Sequence, residues 1–152
     1  MRKFFWRAIK KPPVLFYAIG LGPVIGRLVL LLTTIGRKSG LPRVTPLQYE
    51  DIEGNIYIAS ARGIQPDWFR NILVNPRVVV HVGSKELNGL ADPITDPARI
   101  AGFLEIRIAR HPRMMGALLR LEGLPKEFNR ARLEAFAANR AMIVIRPDVF
   151  GV

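Results

Sequence analysis

Short apolar runs, separated by turns rich in glycine, proline and asparagine, occupy most of the chain. They predict six strands, at residues 27–34, 43–51, 55–61, 77–82, 85–94 and 141–146. The turns between consecutive runs favour antiparallel pairing, and residues 43–51 and 55–61 are expected to form a hairpin. Pro46 lies inside the second run. Since proline cannot donate to a ladder, we expect this position at a sheet edge or a bulge.

Helical patterns appear between the later runs. A short helix is expected at residues 68–74, because Pro66-Asp67 is typical of a helix start and Asn75-Pro76 of a helix end. Three more helices are expected before the last strand, at residues 97–110, 113–121 and 127–139, the first of them capped by the hydroxyl of Thr95. The pattern as a whole predicts an α+β protein, mainly β, whose strands close into a small barrel.

The N-terminal sequence combines basic and bulky aromatic residues. Residues 1–11, MRKFFWRAIKK, suit an amphipathic helix on an anionic membrane surface. The apolar stretch 14–34 contains Gly20, Gly22, Pro23 and Gly26, which disfavour one spanning helix. No clear small-residue cleavage site marks a secretory signal. We therefore expect a basic helical segment at 1–23 before one domain within 1–152, in a cytoplasmic protein that contacts the inner face of the membrane peripherally.

Length and composition limit the number of domains and the kinds of site that the chain can form. The chain has 152 residues, which suits a single core. It has no cysteine, which excludes disulfides, zinc–thiolate sites and thiol nucleophiles. The two histidines, His81 and His111, are interpreted as structural residues, and no metal site is expected.

The positive charge is concentrated at one end of the sequence. The formal net charge is +11, yet no acidic residue precedes Glu50. All the charged residues within 1–43 are therefore basic, whereas bases and acids are nearly balanced in the rest of the chain. Such a local positive field attracts phosphates, nucleic acid or anionic lipid.

The segment 33–43, TTIGRKSGLPR, joins two predicted strands and carries the most chemistry. Its glycines let backbone amides approach an anion closely. Arginine offers a bidentate fork for phosphate, lysine a mobile charge, and serine a hydroxyl donor. The residues alone leave two readings open, an anion site and a solvated hairpin turn. The spacing does not match a Walker loop.

Three motifs in order resemble the deazaflavin-dependent nitroreductase and quinone reductase family. They are TTIGRKSGLPRVTPL at 33–47, IASARG at 58–63 and DWFRNILVNPRV at 67–78. The resemblance implies a split β-barrel of the FMN-binding type. It also implies coenzyme F420 as hydride carrier, with quinones or nitro compounds as hydrophobic acceptors.

By position, the resemblance implies one coenzyme site built from four groups of residues. The first group holds the phosphate and the acidic tail, the next two flank the deazaflavin ring, and the last packs beneath it. These residues are Arg37, Lys38, Ser39 and Arg43 for the phosphate and tail, Thr45, Pro46 and Leu47 along the ring, Ala59, Ser60, Ala61 and Arg62 on the other side, and Trp68 and Asn71 beneath.

Hydride transfer to a quinone also needs a proton donor, and Ser60 and Tyr49 are the candidates. Nitro-drug-activating members of the resembled family carry tyrosines near the C-terminus. The tyrosines here are Tyr17, Tyr49 and Tyr57, so a quinone is the better expectation for the acceptor.

Three other interpretations stay open at this point. An FMN-dependent relative on the same barrel would purify as a yellow protein. A nucleic-acid-binding module would fit the basic charge, although its bases would be expected along a face with interleaved aromatics, so no nucleic acid is expected. A non-enzymatic membrane-binding module would fit residues 1–11. A homodimer is compatible with each of them.

Overall fold

The structure is a computed structural model that describes residues 29–148. The expected helical segment 1–23 and the expected membrane contact at 1–11 lie outside these residues. In chain order, the elements are β1 (Val29–Ile35), β2 (Pro42–Gln48), β3 (Glu50–Ile52), β4 (Asn55–Ser60), α1 (Asp67–Val74), β5 (Arg77–Val82), β6 (Lys85–Ile94), α2 (Pro97–Arg110), α3 (Pro112–Leu121), α4 (Arg130–Ala137) and β7 (Ala141–Pro147).

The strands form one antiparallel sheet that curls towards closure. Their order is β2-β1-β5-β6-β7-β4-β3, so β2 and β3 lie at opposite edges. Only Tyr49 separates these two strands in the chain. Because a single residue spans so short a distance, the two edges must meet there. The expected barrel of mostly antiparallel strands, with helices before the last strand, is confirmed, and the β2–β3 junction is its seam.

The seam divides the strand that was predicted at residues 43–51. The run expected at 43–51 is two strands, which makes seven strands in the described range rather than six. β2 pairs with β1 from Val29↔Gln48 to Ile35↔Pro42, and only β3 pairs with β4. The predicted hairpin is therefore wrong for most of its length. Pro46 lies on an edge strand, as expected, and the β1–β2 register continues through it without a bulge.

Two apolar clusters cover the two faces of the sheet. Inside the barrel, α1 inserts Phe69 and Ile72 against residues of β1, β4, β5 and β7. Outside, α2, α3 and α4 pack on β7 and β4 through an apolar layer that includes Met115. β7 contributes to both, with Ile143 inside and Val144 outside, which is why its sequence is continuously apolar. The helices thus cover the sheet face opposite α1.

Two helix starts differ from expectation. The carboxylate of Asp96, rather than the hydroxyl of Thr95, caps α2 by accepting a hydrogen bond from the backbone N–H of Ala98 at 3.2 Å. α4 begins at Arg130 rather than at residue 127, because the side chain of Asn129 caps it. Asparagine and aspartate are strong N-cap residues, and in both places they decide the boundary.

A buried ionic network fastens α2 to the seam. The Glu50 carboxylate is 5% exposed and accepts hydrogen bonds from Arg107 Nε at 3.1 Å and Arg110 Nη1 at 3.2 Å. His111 Nε2 lies 3.1 Å from the same carboxylate. Arg107 Nη2 also donates to Gln48 Oε1 at 3.0 Å. One arginine therefore joins the end of β2 to the start of β3.

Candidate functional site

A cleft of about 630 Å³ lies between the β1–β2 turn, strand β2 and the start of α1. The turn supplies a polar wall and β2 a mixed one, while α1 closes the remaining side. The lining residues are Gly36, Arg37, Lys38, Ser39, Pro42, Arg43, Val44, Thr45, Asp67, Trp68 and Asn71.

The β1–β2 turn is closed by its own backbone. The N–H of Gly36 donates to the carbonyl of Leu41 at 2.8 Å, and the N–H of Gly40 donates to the carbonyl of Gly36 at 2.8 Å. Gly40 has φ +72°, which favours glycine, and a Cβ on Gly36 would lie 2.6 Å from Ser39 Oγ. Ser39 Oγ accepts from the N–H of Leu41 at 3.1 Å, so its own proton can be donated to a ligand.

Arg37 is bonded to α1. Its backbone N–H and its Nη1 both donate to Asn71 Oδ1, at 3.1 and 2.9 Å. Its Nη2 donates to Asp67 Oδ1 at 3.1 Å. Asn71 is 3% exposed, and its Nδ2 donates to Thr34 Oγ1 at 3.2 Å. These bonds fix the turn against the helix.

Lys38 and Arg43 supply the other two positive charges of the cleft. Both side chains are exposed, and neither has a carboxylate partner among residues 29–148. Arg43 lies opposite Thr34 in the β1–β2 ladder, so its side chain is on the sheet face that α1 covers. The acidic lining residue Asp67 is paired with Arg37. The cleft therefore presents excess positive charge to a ligand.

The wall beyond the turn is less polar. Val44 is 39% exposed, whereas Trp68 is 8% exposed and belongs to the inner core. Thr45 pairs with Leu32, and the other side of β2 has no ladder partner because β2 is an edge strand. Its outward backbone groups can therefore bond a ligand that lies along the strand.

The cleft brings together most of the residues that the sequence motifs implicate in phosphate binding and in packing beneath the ring. Along the ring segment, Pro46 and Leu47 lie further on in β2, and Leu47 packs against the inner core. Ala59 to Arg62 lie at the end of β4 and in the turn after it, outside the cleft lining. Those implicated residues that line the cleft are Arg37, Lys38, Ser39, Arg43, Thr45, Trp68 and Asn71.

The two candidate proton donors lie away from the cleft lining. Ser60 is 3% exposed, and its hydroxyl donates to the carbonyl of Gly63 at 2.6 Å. Tyr49 is half-buried at the seam, and burial raises the pKa of its phenol above 10, with further contributions from Asp51 and Glu50. Its O–H therefore stays protonated at neutral pH.

Three lining residues were not predicted from the sequence: Pro42, Val44 and Asp67. Pro42 and Val44 lie within the recognised segment and are contiguous with its named residues. Asp67 was interpreted only as part of a helix start. An acidic residue at a helix start that follows a basic turn can indicate an ion pair between the helix and the turn. The spacing in the sequence does not identify which basic residue is the partner.

The sequence matches a family model described as F420H(2)-dependent quinone reductase over residues 19–114, which is more than half of the chain. Curated F420H(2)-dependent quinone reductases from two strains of Mycobacterium tuberculosis are 38% identical to it over 68 residues. These alignments cover 43% of this chain and 46% of each relative. The match thus spans less than half of the relatives' length.

Solved structures share the fold. An F420 reductase superposes with a TM-score of 0.53 at 23% identity, covering 80% of this chain and 87% of that one. An F420-H2 dependent reductase, FDR-A, gives 0.53 at 22% identity, covering 79% and 95%. A chain described as a domain-swapped dimer gives 0.55 at 21% identity, covering 93% and 97%. The expected split-barrel fold is confirmed.

Proposed function

The chain belongs to the F420H(2)-dependent quinone reductase family, and from this premise we propose that it transfers a hydride from reduced coenzyme F420 to a quinone. One observation carries the proposal for this chain's own site. A glycine turn presents Lys38 and Arg43, neither paired with a carboxylate in the described range, at the mouth of a cleft that continues along an edge strand.

The cleft fits a coenzyme that carries a phosphate and an acidic tail. Lys38 and Arg43 can form charge-assisted hydrogen bonds to phosphate oxygens, and Ser39 can donate its hydroxyl proton. Gly36 lets the turn pack closely, with Ser39 Oγ where a Cβ would clash. The acid in the lining, Asp67, does not oppose an anion with a free charge, since Arg37 neutralises it.

The remaining residues of the site are proposed to position the ring and limit water. Reduced F420 supplies the hydride when bound. The outward backbone groups of Thr45, Pro46 and Leu47 are proposed to bond the ring edge, and Trp68 closes the cleft from the core side. On the far side, the residues proposed to complete the wall are Ala59, Ser60, Ala61 and Arg62.

Tyr49 is the better of the two proposed proton donors. A tyrosine phenol is protonated at neutral pH, and the structure gives the hydroxyl of Tyr49 no hydrogen-bond partner within residues 29–148. The Ser60 proton is already donated to Gly63. Hydride transfer to a quinone gives a hydroquinone monoanion, which takes up one proton to become the neutral hydroquinone, and Tyr49 is proposed to supply that proton.

The cellular setting is part of the same proposal. We propose a cytoplasmic protein that reaches quinone at the inner membrane face through residues 1–11, which are basic and aromatic. No helix in the described part of the chain is long and apolar enough to cross a membrane. A homodimer is proposed as well, with the similarity to a domain-swapped dimer as its support.

The activity is tested by following oxidation of reduced F420 with a soluble quinone, with a nitroaromatic compound and without an acceptor. The quinone is expected to give the fastest turnover. Lys38→Ala and Arg43→Ala should each raise the KM for the coenzyme about tenfold, because a hydrogen bond to a charged group contributes roughly 1.5–3 kcal/mol.

Arg132→Ala is the matched control, since it removes an equally exposed charge from α4, on the other face of the sheet. It should leave the KM unchanged. Absence of turnover with every quinone would contradict the proposed reaction. A KM for the coenzyme that responds equally to all three substitutions would contradict the proposed phosphate site.

A further inference from the structure

Arg37 differs from the other basic residues of the cleft in how its donors are used. Its side chain is 21% exposed, and its guanidinium donates to Asn71 Oδ1 and to Asp67 Oδ1. Its backbone N–H donates to the same Asn71 oxygen. Lys38 and Arg43 make no comparable bonds among the described residues. The three bases of the cleft are therefore not equivalent.

Asn71 is the centre of this arrangement. Its amide is buried, and both of its ends are bonded: Oδ1 accepts twice from Arg37, and Nδ2 donates to Thr34 Oγ1. Thr34 belongs to β1, Arg37 to the turn, and Asn71 to α1. One amide side chain thus connects three elements at the point where the turn leaves the sheet. We call Thr34, Arg37, Asp67 and Asn71 the latch.

The charge of Arg37 in the latch is partly neutralised, whereas the charges of Lys38 and Arg43 are not neutralised within the described residues. The carboxylate of Asp67 lies 3.1 Å from the Arg37 guanidinium and offsets its charge. Because Asp67 offsets part of the charge of Arg37, an anion in the cleft gains less attraction from Arg37 than from Lys38 or Arg43. No carboxylate in residues 29–148 pairs with Lys38 or Arg43.

We propose that Arg37 is a positioning residue rather than a phosphate ligand, and that Asn71 holds the turn in its anion-binding shape by binding Arg37. This inference rests on the proposed function, in which the cleft holds the phosphate of F420. It assigns direct contact with the phosphate to Lys38, Arg43 and Ser39. It assigns preorganisation of those groups to the latch.

The first test is a double-mutant cycle on F420 binding, followed by fluorescence. Arg37→Ala and Asn71→Ala should each weaken binding roughly tenfold. The double variant should lose clearly less than the product of the two single losses, because both changes remove the bond between Arg37 Nη1 and Asn71 Oδ1. Lys38→Ala combined with Arg37→Ala should likewise lose less than the product of the two single losses, because the latch acts in part by positioning Lys38.

Salt provides a second distinction within the same titration. Direct charge–phosphate attraction weakens as ionic strength rises. Lys38→Ala should therefore reduce the salt dependence of F420 affinity, whereas Arg37→Ala should leave it close to that of the wild type. Losses for Arg37→Ala and Asn71→Ala that multiply, together with a reduced salt dependence for Arg37→Ala, would overturn the latch and make Arg37 a ligand.

The last measurement needs no coenzyme. The backbone N–H of Arg37 donates to Asn71 Oδ1, so Asn71→Ala should accelerate hydrogen exchange at the Arg37 amide in the free protein. The Leu133 amide, bonded to the Asn129 carbonyl in α4, is the control and should not change. Unchanged exchange at Arg37 refutes the latch. Faster exchange in a protein that does not bind F420 leaves the latch intact and refutes the proposed function.

Discussion

The buried network at the seam allows a stability prediction to be worked from distances. Arg107 is 5% exposed and bonds Glu50 Oε2 at 3.1 Å and Gln48 Oε1 at 3.0 Å. Arg107→Met keeps an apolar stem of similar length and removes both bonds. Glu50 then retains Arg110 Nη1 at 3.2 Å and His111 Nε2 at 3.1 Å as its partners.

Breaking one partner of a buried ion pair costs about 3–5 kcal/mol. The two remaining partners of Glu50 place the expected loss at the lower end, at about 3 kcal/mol in the free energy of unfolding. For a chain of this size, about 2–4 °C of Tm corresponds to each kcal/mol, so Tm should fall by roughly 6–12 °C. In urea, the midpoint should fall with little change in the slope m.

Two variants serve as controls in the same urea titration. Arg110→Met removes a side chain that is 43% exposed and should cost less than about 1 kcal/mol. Glu50→Leu combined with Arg107→Met replaces the buried pair by apolar groups and should recover most of the lost stability. A loss for Arg107→Met no greater than that for Arg110→Met would refute the role given to this network at the seam.

Further predictions concern the turn, the proton donors and pH. Gly36→Ala should displace Ser39 and weaken F420 binding by about 1 kcal/mol, with little change in Tm; unchanged affinity would contradict the close packing of the turn. Tyr49→Phe should lower turnover at least tenfold at unchanged coenzyme affinity, whereas Ser60→Ala should lower the free energy of unfolding by about 1–3 kcal/mol; the reverse pattern would make Ser60 the donor. Burial lowers the pKa of His81 below its ordinary value of 6.5, although a neighbouring glutamate opposes this shift. Because the unfolded chain then binds a proton more readily than the folded one, stability is lost as pH falls below about 6.5, and wild-type Tm should fall more than that of His81→Gln between about pH 7.5 and 5.5.

Most elements of the fold follow from local signals in the sequence. The boundaries of β5, β6, α2 and β7 agree with prediction because proline, asparagine or glycine lies beside each of them. The division of residues 43–51 did not follow, because no glycine, proline or asparagine marks a turn between Gln48 and Glu50. The change of partner strand there depends on closure of the sheet, which is a long-range property.

The candidate site was predictable in its composition and less so in its roles. The turn's glycines and bases indicated an anion site, and the motifs indicated which other residues share it. The sequence did not show that Arg37 is bonded to Asp67 and Asn71, since these residues lie 30 and 34 positions away. The sequence therefore did not distinguish the three bases of the cleft. In the structure Arg37 is bonded to α1, whereas Lys38 and Arg43 are exposed.

Titration of the purified protein with F420 and with FMN decides whether this cleft binds F420. We expect F420 to bind at micromolar concentrations, added salt to weaken the binding, and Lys38→Ala to weaken it at low salt. FMN should neither copurify nor compete. Absence of F420 binding at micromolar concentrations, or a yellow protein that retains FMN, would contradict this expectation.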